Sequence, residues 1–466
     1  MPVATDIFHF NEMPMTWEEQ VILPKAQPGI RAINWNGLIE DVTAGRWQDP
    51  DQGRPVDVPF HHIHIGDGLA DDADSLLESV MPAETYAVVC DHDTAQVMGE
   101  AITRRLGGKA RLVLLDHPHA DEAEVRSLQK RTANVDALVA VGSGTINDLC
   151  KYATYLDGRP YSVFGTAPSM NGYTSSTASI TLDSGLKTTQ KAHAAKGVFI
   201  DIDVSAQAPQ YLIGAGLGDS LCRPTAQIDW YFSHVMFGTR YATAPYLMQE
   251  KDECSVLDRS SGLGQRDHDA IGYLQRLLTL AGLGIAVVGL SHPGSMGEHQ
   301  ISHWIDSFAG DRHPGTVHGQ QVGVASVTMA RLQKRILAME EAPRIGPNIP
   351  DEAGIIARYP HAAVADCLTA ARAKAMDGEA AERFNARLAA IWPELRRTLS
   401  AMSIDPDEMA AHLRAAGGGA TYAEIGMDRD LYVEALRRCP EMRDRYSMLD
   451  LAIGMGILED FIEEYV

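Results

Sequence analysis

The sequence is short of positive charge. Its 40 Lys and Arg residues are outnumbered by 62 Asp and Glu, for a formal net charge of −22. A nucleic-acid partner is therefore not expected, because binding a phosphate backbone needs a basic face. The acidity reads as a solubilising surface. No run of 18 apolar residues occurs, so no membrane-spanning helix and no membrane partner are expected. The opening residues "MPVATDIFHFNEMPMTWEEQ" lack a basic stretch followed by an apolar one, so no signal peptide is read. Cysteine is scarce too: six residues, none in a CxxC pair. Scattered cysteines without a leader read as reduced thiols in a cytoplasm. The Gly-rich "RAAGGGATY" (414–422) is not followed by Gly-Lys-Ser/Thr, which makes it a helix–helix loop and no P-loop.

What remains is an ordinary globular composition, 45% hydrophobic and 22% charged over 466 residues, long enough for two domains. Residues 1–55 are punctuated by Pro, Gly and Trp and read as an N-terminal extension packed on the main body. Short apolar runs follow: "TYAVVCDHD" (85–93), "ARLVLLDH" (110–117), "VDALVAVGSG" (135–144), "PYSVFGTAPS" (160–169) and "GVFIDIDV" (197–204). Amphipathic helical patterns alternate with them, which predicts a mainly parallel sheet covered on both faces. "ASITLDSGLKTTQKAH" (178–193) reads as a hairpin turning at Asp183-Ser184-Gly185. Beyond about residue 205 the patterns are helical. The fold class is thus an α/β N-terminal domain over 56–210 plus an all-α C-terminal domain over 211–466.

Two sets of residues carry candidate chemistry. In "VAVGSGTINDLC" the Gly142-Ser143-Gly144-Thr145 turn follows a strand and precedes a helix. Glycines there let the backbone approach a pyrophosphate, and the helix N-terminus offers it free N–H groups. Asp91 ends another strand, where a carboxylate either accepts a bond from a ribose or caps the next helix. Thr166, Ser169 and Ser175 are small hydroxyl residues suited to lining a flat ring. The second set is metal-like. His299 and His303 are spaced i, i+4 and share a helix face; His318 begins the next helix. Imidazoles with one carboxylate suit a divalent metal with an open position. Asp219, after three glycines in "GAGLGDSL", supplies the carboxylate or serves as a helix N-cap. "PFHHIHIGD" reads instead as a strand with one polar face, and His292 and His313, each before a proline, read as loop residues.

The motifs "GSGTINDLCKYATY", "GTAPSMNGYTSSTASI", "GAGLGDSL", "GSMGEHQISH" and "HGQQVGVA", taken in order, resemble those of sn-glycerol-1-phosphate dehydrogenases, nearest the bacterial arabinose-operon branch. That family lies in the iron-containing alcohol dehydrogenase and dehydroquinate synthase-like superfamily. The resemblance implies a Rossmann-like NAD(P)-binding domain, a metal-binding helical domain, and a site in the cleft between them. It implies a metal (zinc, nickel or iron) held by Asp219, His299 and His318, with Asp219 also at the substrate. It implies NAD(P) contacts from Gly142, Ser143, Gly144, Thr145, Ile146, Thr166, Ala167, Pro168, Ser169, Ser175 and Asp91. His303 falls at a substrate-contacting position, as a candidate proton relay, and Asn171 at a substrate position usually held by Asp. His292 stands where relatives carry Arg, a bidentate phosphate partner that His is not. The implied activity is metal-dependent, reversible reduction of dihydroxyacetone phosphate to sn-glycerol 1-phosphate in a cytoplasmic homodimer. The two departures motivate an alternative, a dehydrogenase of a different small polyol or polyol phosphate on the same scaffold.

Overall fold

The computed structural model describes residues 34–183 and 185–466; residues 1–33, most of the expected extension, and Ser184 of the expected hairpin turn lie outside the described residues. The described strands are β1 (Gln48–Asp49), β2 (Arg54–Pro55), β3 (Ile63–Gly66), β4 (Tyr86–Asp91), β5 (Ala110–Leu115), β6 (Ala137–Gly142), β7 (Tyr161–Gly165), β8 (Thr177–Thr181), β9 (Lys187–Lys191) and β10 (Val198–Asp201). Six of them form one parallel sheet in the order β3-β10-β7-β6-β4-β5. β8 and β9 form the expected antiparallel hairpin. The central strands are buried along nearly their whole length, as expected when helices cover both faces. At the edge, β3 buries Ile63 and Ile65 and exposes His64, the period-2 alternation of a half-covered strand. His61, His62 and His64 are exposed and belong to this edge.

Alternate residues of the strands feed different cores. Val88, Val139 and Phe164 pack with Leu77, Met98 and Ile102 on one face. Val89, Leu138 and Val163 join Ile213, Leu217, Leu274 and Leu278 on the other. That second cluster fastens the sheet to the helices that follow it. After residue 201 the described chain is helical apart from one isolated bridge between Asn348 and Met376. Trp304 and Trp392 anchor a further core among the C-terminal helices. The helix His268–Val288 is long and apolar enough to cross a membrane (mean hydropathy 1.6), but 72% of that stretch is buried, and it serves as the central strut.

The helix Ala244–Leu257 has no counterpart in the hydropathy pattern. Its acids are buried and paired: Asp252 with Arg276 at 2.9 Å and Glu253 with Arg223 at 3.1 Å. Buried ion pairs put charge on an inward face and erase the apolar period. Residues 34–55 lie on this part of the molecule. Trp35 stacks edge-on against Tyr273 at 5.2 Å, and the Asp51 carboxylate accepts from Thr243 N at 2.7 Å.

Candidate active site

The strand order reverses between β4 and β6: the chain leaves β4 toward β5 and returns on the opposite side. A crevice opens at the carboxyl ends of the strands at such a switch point, and ligands of open α/β sheets bind there. Asp91 ends β4 and Gly142 ends β6, in register with Gly165 at the end of β7. Thr166 N–H donates to Gly142 O at 3.2 Å. The Tyr173 hydroxyl reaches both Gly142 O (3.0 Å) and Ala167 O (3.1 Å), clamping the two strand ends together. The helix Gly144–Asp157 begins at Ser143, whose side chain makes no capping bond, so no side chain takes up the first-turn N–H groups. Ser143, Gly144 and Thr145 are half-buried, and Ile146 packs beneath them. Asp91 caps its helix: Oδ1 accepts from Thr94 N at 2.8 Å and Thr94 Oγ1 at 2.7 Å.

The segment after β7 runs from this crevice to the metal-like cluster. Thr166, Ala167, Pro168 and Ser169 are buried, and Ser175 bonds the Thr177 hydroxyl at 2.8 Å. Lys151, fully buried in the Gly144–Asp157 helix, holds the segment through Gly172 O (2.8 Å) and Thr177 O (3.0 Å). Burial lowers its pKa. Composition gives no hint of this lysine's position; its one local signal is a charge among Leu149, Cys150 and Ala153.

Asp219 does not begin a helix, as its glycines suggest. It lies in the last turn of the helix Gln210–Ser220. The glycines are there for close approach: a Cβ on Gly216 would stand 1.6 Å from Pro168 O, and one on Gly218 2.3 Å from Gly319 O. The first contact seats this helix on the 166–169 segment. The second seats it against the start of the helix His318–Leu337, one residue from His318. Bare backbone at both points brings Asp219 to the crevice and to the histidines.

One ligand atom each from Asp219, His299 and His318 lies within 4.8 Å of the others. His299 Nε2 is 3.6 Å from Asp219 Oδ1, and the His299 and His318 rings meet edge-on at 5.0 Å. Each imidazole is oriented from behind. His299 Nδ1 meets Glu298 Oε1 at 3.0 Å, and that oxygen also accepts from Met296 N at 2.7 Å. His318 Nδ1 lies 2.9 Å from Ser302 Oγ, which donates onward to Gln321 Oε1 at 2.8 Å. A hydroxyl that donates to Gln321 accepts from His318. Both rings therefore carry N–H on Nδ1 and leave the Nε2 lone pair for a ligand, the arrangement that outer partners impose on metal-binding histidines. Burial, chiefly, lowers His318 to about 4, so it stays unprotonated. Burial opposes charge on Asp219 as well, but the His299 hydrogen bond and the nearby imidazoles bring its pKa below the usual value. Asp219 Oδ2 accepts from Asn171 N at 3.0 Å.

His303 stands beside the triad, 5.3 Å from the His318 ring. Its Nδ1 accepts from Arg443. Burial and then the Arg443 charge push its pKa well down, which leaves a neutral ring with its proton on Nε2. A rival group, Cys222, Glu298 and His299, also converges. Its Glu298 is already engaged by Met296 and His299, and burial raises the Cys222 thiol well above its usual pKa. We therefore favour the Asp219 group. His313 is held by Asp306 at 3.1 Å and joins neither. Glu298, Ser302, Gln321, Arg443 and Lys151 are the functional candidates that motif reading misses; only Glu298, next to His299, had a local sign.

Comparison with known proteins places the chain. The family model for iron-containing alcohol dehydrogenase matches residues 64–209. A glycerol-1-phosphate dehydrogenase [NAD(P)+] of Bacillus subtilis is 28% identical over 389 residues, covering 81% of this chain and 88% of the relative. The Geobacillus stearothermophilus enzyme of the same name is 26% identical over 430 residues, covering 89% and 97%. Among solved structures, a probable glycerol dehydrogenase from Sinorhizobium meliloti 1021 shares the fold with a TM-score of 0.56 at 15% identity, covering 86% of this chain and 97% of that one. An archaeal alcohol dehydrogenase from a Red Sea brine pool does so at 0.57 and 15%, covering 87% and 98%. The chain is an NAD(P)-dependent oxidoreductase of the iron-containing alcohol dehydrogenase superfamily. Within that class it is similar to the glycerol-1-phosphate dehydrogenases.

Proposed function

We propose that the protein catalyses the reversible reduction of dihydroxyacetone phosphate to sn-glycerol 1-phosphate with NADH or NADPH, using one divalent metal held by Asp219, His299 and His318. The observation that carries the reading is the convergence of these three side chains with both Nδ1 positions already committed. Two neutral imidazoles and a carboxylate suit zinc, nickel or iron. When bound, such a metal supplies Lewis-acid polarisation of the substrate carbonyl.

The chain's own groups do the rest. The Ser143–Ile146 turn takes the dinucleotide phosphates, and Asp91 faces the adenosine side. Thr166–Ser169 and Ser175 bring the nicotinamide toward Asp219, across the contact between Pro168 and Gly216. Asn171 presents its side chain to the substrate while its N–H fixes Asp219. His303 holds its proton on Nε2 and donates a hydrogen bond to the developing alcohol oxygen, while a water molecule supplies the proton that completes the alcohol. Burial of Asp219, His299 and His303 keeps water from these charges. The six free cysteines support a cytoplasmic setting.

The test is a substrate panel with the metal-loaded protein. NADH and NADPH oxidation is followed with dihydroxyacetone phosphate, dihydroxyacetone and several ketose phosphates. The reading expects dihydroxyacetone phosphate to have the highest kcat/KM. Turnover of an unphosphorylated ketone with none of its phosphate would favour the other polyol dehydrogenase suggested by Asn171 and His292.

A further inference from the structure

Arg443 and Arg445 reach the site from the segment joining the 3-10 turn Cys439–Met442 to the helix Met448–Met455. Arg443 donates to His303 Nδ1. Arg445 holds the 291–295 turn, donating to Ser291 Oγ at 2.8 Å and to Ser295 O. Gly294 of that turn faces the substrate side: a Cβ built on it would lie 3.9 Å from Asn171 Nδ2. His292, in the same turn, has a buried Nδ1 with no hydrogen-bond partner. Its ring packs 5.8 Å from Trp230. The groups thus run round a ring, from Asn171 through Asp219, His299, His318 and His303 to Arg443, with Arg445 close enough to feel its charge and holding the turn beside Asn171.

Neither guanidinium is ion-paired among the described residues; their bonds go to a neutral ring, a hydroxyl and a carbonyl. The two charges are close enough that burial and Arg443 together push Arg445 down to about 9. Half-buried cations without an ion-pair partner are costly. Asp444 acts on both arginines and Glu298 on Arg445, but among the described residues no carboxylate bonds either guanidinium. An anion supplied with the ligand would satisfy both guanidinium groups and the unpartnered His292 Nδ1.

We propose that Arg443, with Arg445 and His292 Nδ1, binds the phosphate group of the substrate. The proposal rests on the reading of the protein as a dehydrogenase of a polyol phosphate. It also accounts for His292 in place of the Arg expected there: the positive charge comes from the C-terminal segment, and a smaller ring leaves room for it. Arg443 has a second task as a positioning residue, because its bond to His303 Nδ1 keeps the His303 proton on Nε2.

The test uses the metal-loaded full chain, with inorganic phosphate as the probe in calorimetry and as an inhibitor in the assay. Wild type should bind phosphate competitively with dihydroxyacetone phosphate. Arg443→Gln should weaken phosphate binding about 10- to 100-fold, the loss expected for one charge-assisted bidentate partner. The ratio of kcat/KM for dihydroxyacetone phosphate over dihydroxyacetone should fall by a similar factor. Arg443→Lys, which keeps the charge and loses the fork, should fall between, and provides a second variant if the Gln form folds poorly. A wild type that binds no phosphate overturns the proposal, as does a folded Arg443→Gln protein with unchanged phosphate affinity. Phosphate binding through Arg443, with dihydroxyacetone the better substrate, overturns the substrate reading and leaves the anion site standing.

Discussion

Glu298→Gln probes the candidate metal centre without touching a proposed ligand. Glu298 is fully buried, and its Oε1 receives both Met296 N–H and His299 Nδ1–H. Its Oε2 receives the Thr225 hydroxyl at 3.4 Å. Glutamine keeps the size and one acceptor oxygen, so His299 stays in place and only the charge behind it is lost. That charge makes the imidazole a stronger donor to a cation at Nε2. Removing such a partner weakens metal binding by about 10- to 100-fold, or about 1.4 to 2.7 kcal/mol. The same substitution relieves repulsion with Asp229, whose pKa burial and Glu298 hold well above the usual carboxylate range. Stability should therefore be nearly unchanged while metal affinity falls. Competition with a chromophoric chelator gives the metal Kd, and a thermal melt of the chelated protein gives the stability. Equal metal affinity in the two proteins would refute the role given to Glu298; a large loss of stability would refute the separation of the two effects.

Other perturbations test the packing and the charges. Gly216→Ala should cost about 3 kcal/mol or more, because its Cβ would meet the Pro168 carbonyl, and two backbones cannot both yield. Gly346→Ala, with its nearest neighbour 3.9 Å away, should change the unfolding midpoint in denaturant by little (about 0.5 kcal/mol or less). Acid should destabilise the metal-free protein. His318, His303 and His292 are all held below the ordinary 6.5, His292 at about 3. Below 6.5 the unfolded chain takes up protons that the native chain refuses, so stability is full above that pH and falls as pH drops toward the folded values. The His318 shift alone corresponds to about 3 kcal/mol. His299, raised by Asp219 and Glu298 against its burial, and His268, raised by Asp67, work in the opposite sense, their contributions being lost as pH rises through their folded values, but they are two rings against five, since burial also lowers His193 and His234. Tm measured from about pH 7 to about pH 5 should fall, and His292→Asn should lessen the fall; a flat profile would count against buried neutral histidines.

The sheet was legible because fully buried parallel strands are continuous apolar runs, and β4, β6 and β7 are such runs. The glycines of Gly142-Ser143-Gly144 sit at the switch point. Helical spacing paired His299 with His303, whereas His318 begins the next helix and meets His299 only in the folded site. Asp219 was identified but misplaced. Gly214, Gly216 and Gly218 read as loop by intrinsic propensity, whereas tertiary contacts with Pro168 and Gly319 require a helix without side chains at those points. The helix Ala244–Leu257 was hidden by its buried ion pairs. Lys151, Ser302 and Gln321 matter through hydrogen-bond direction, which no local pattern encodes. Arg443 and Arg445 come from a distant segment, and only the folded chain brings them beside His292 and His303.

Metal content measured together with activity tests the central claim most directly. Wild-type protein purified without chelator should carry about one divalent metal per chain, as a single three-ligand site requires. It should lose NAD(P)H oxidation with dihydroxyacetone phosphate on chelation and regain it when zinc or nickel is restored. His318→Ala should be folded, bind metal far more weakly, and be inactive at the same metal concentration. Full activity in metal-free wild type, or a full complement of metal and full activity in His318→Ala, would contradict the account.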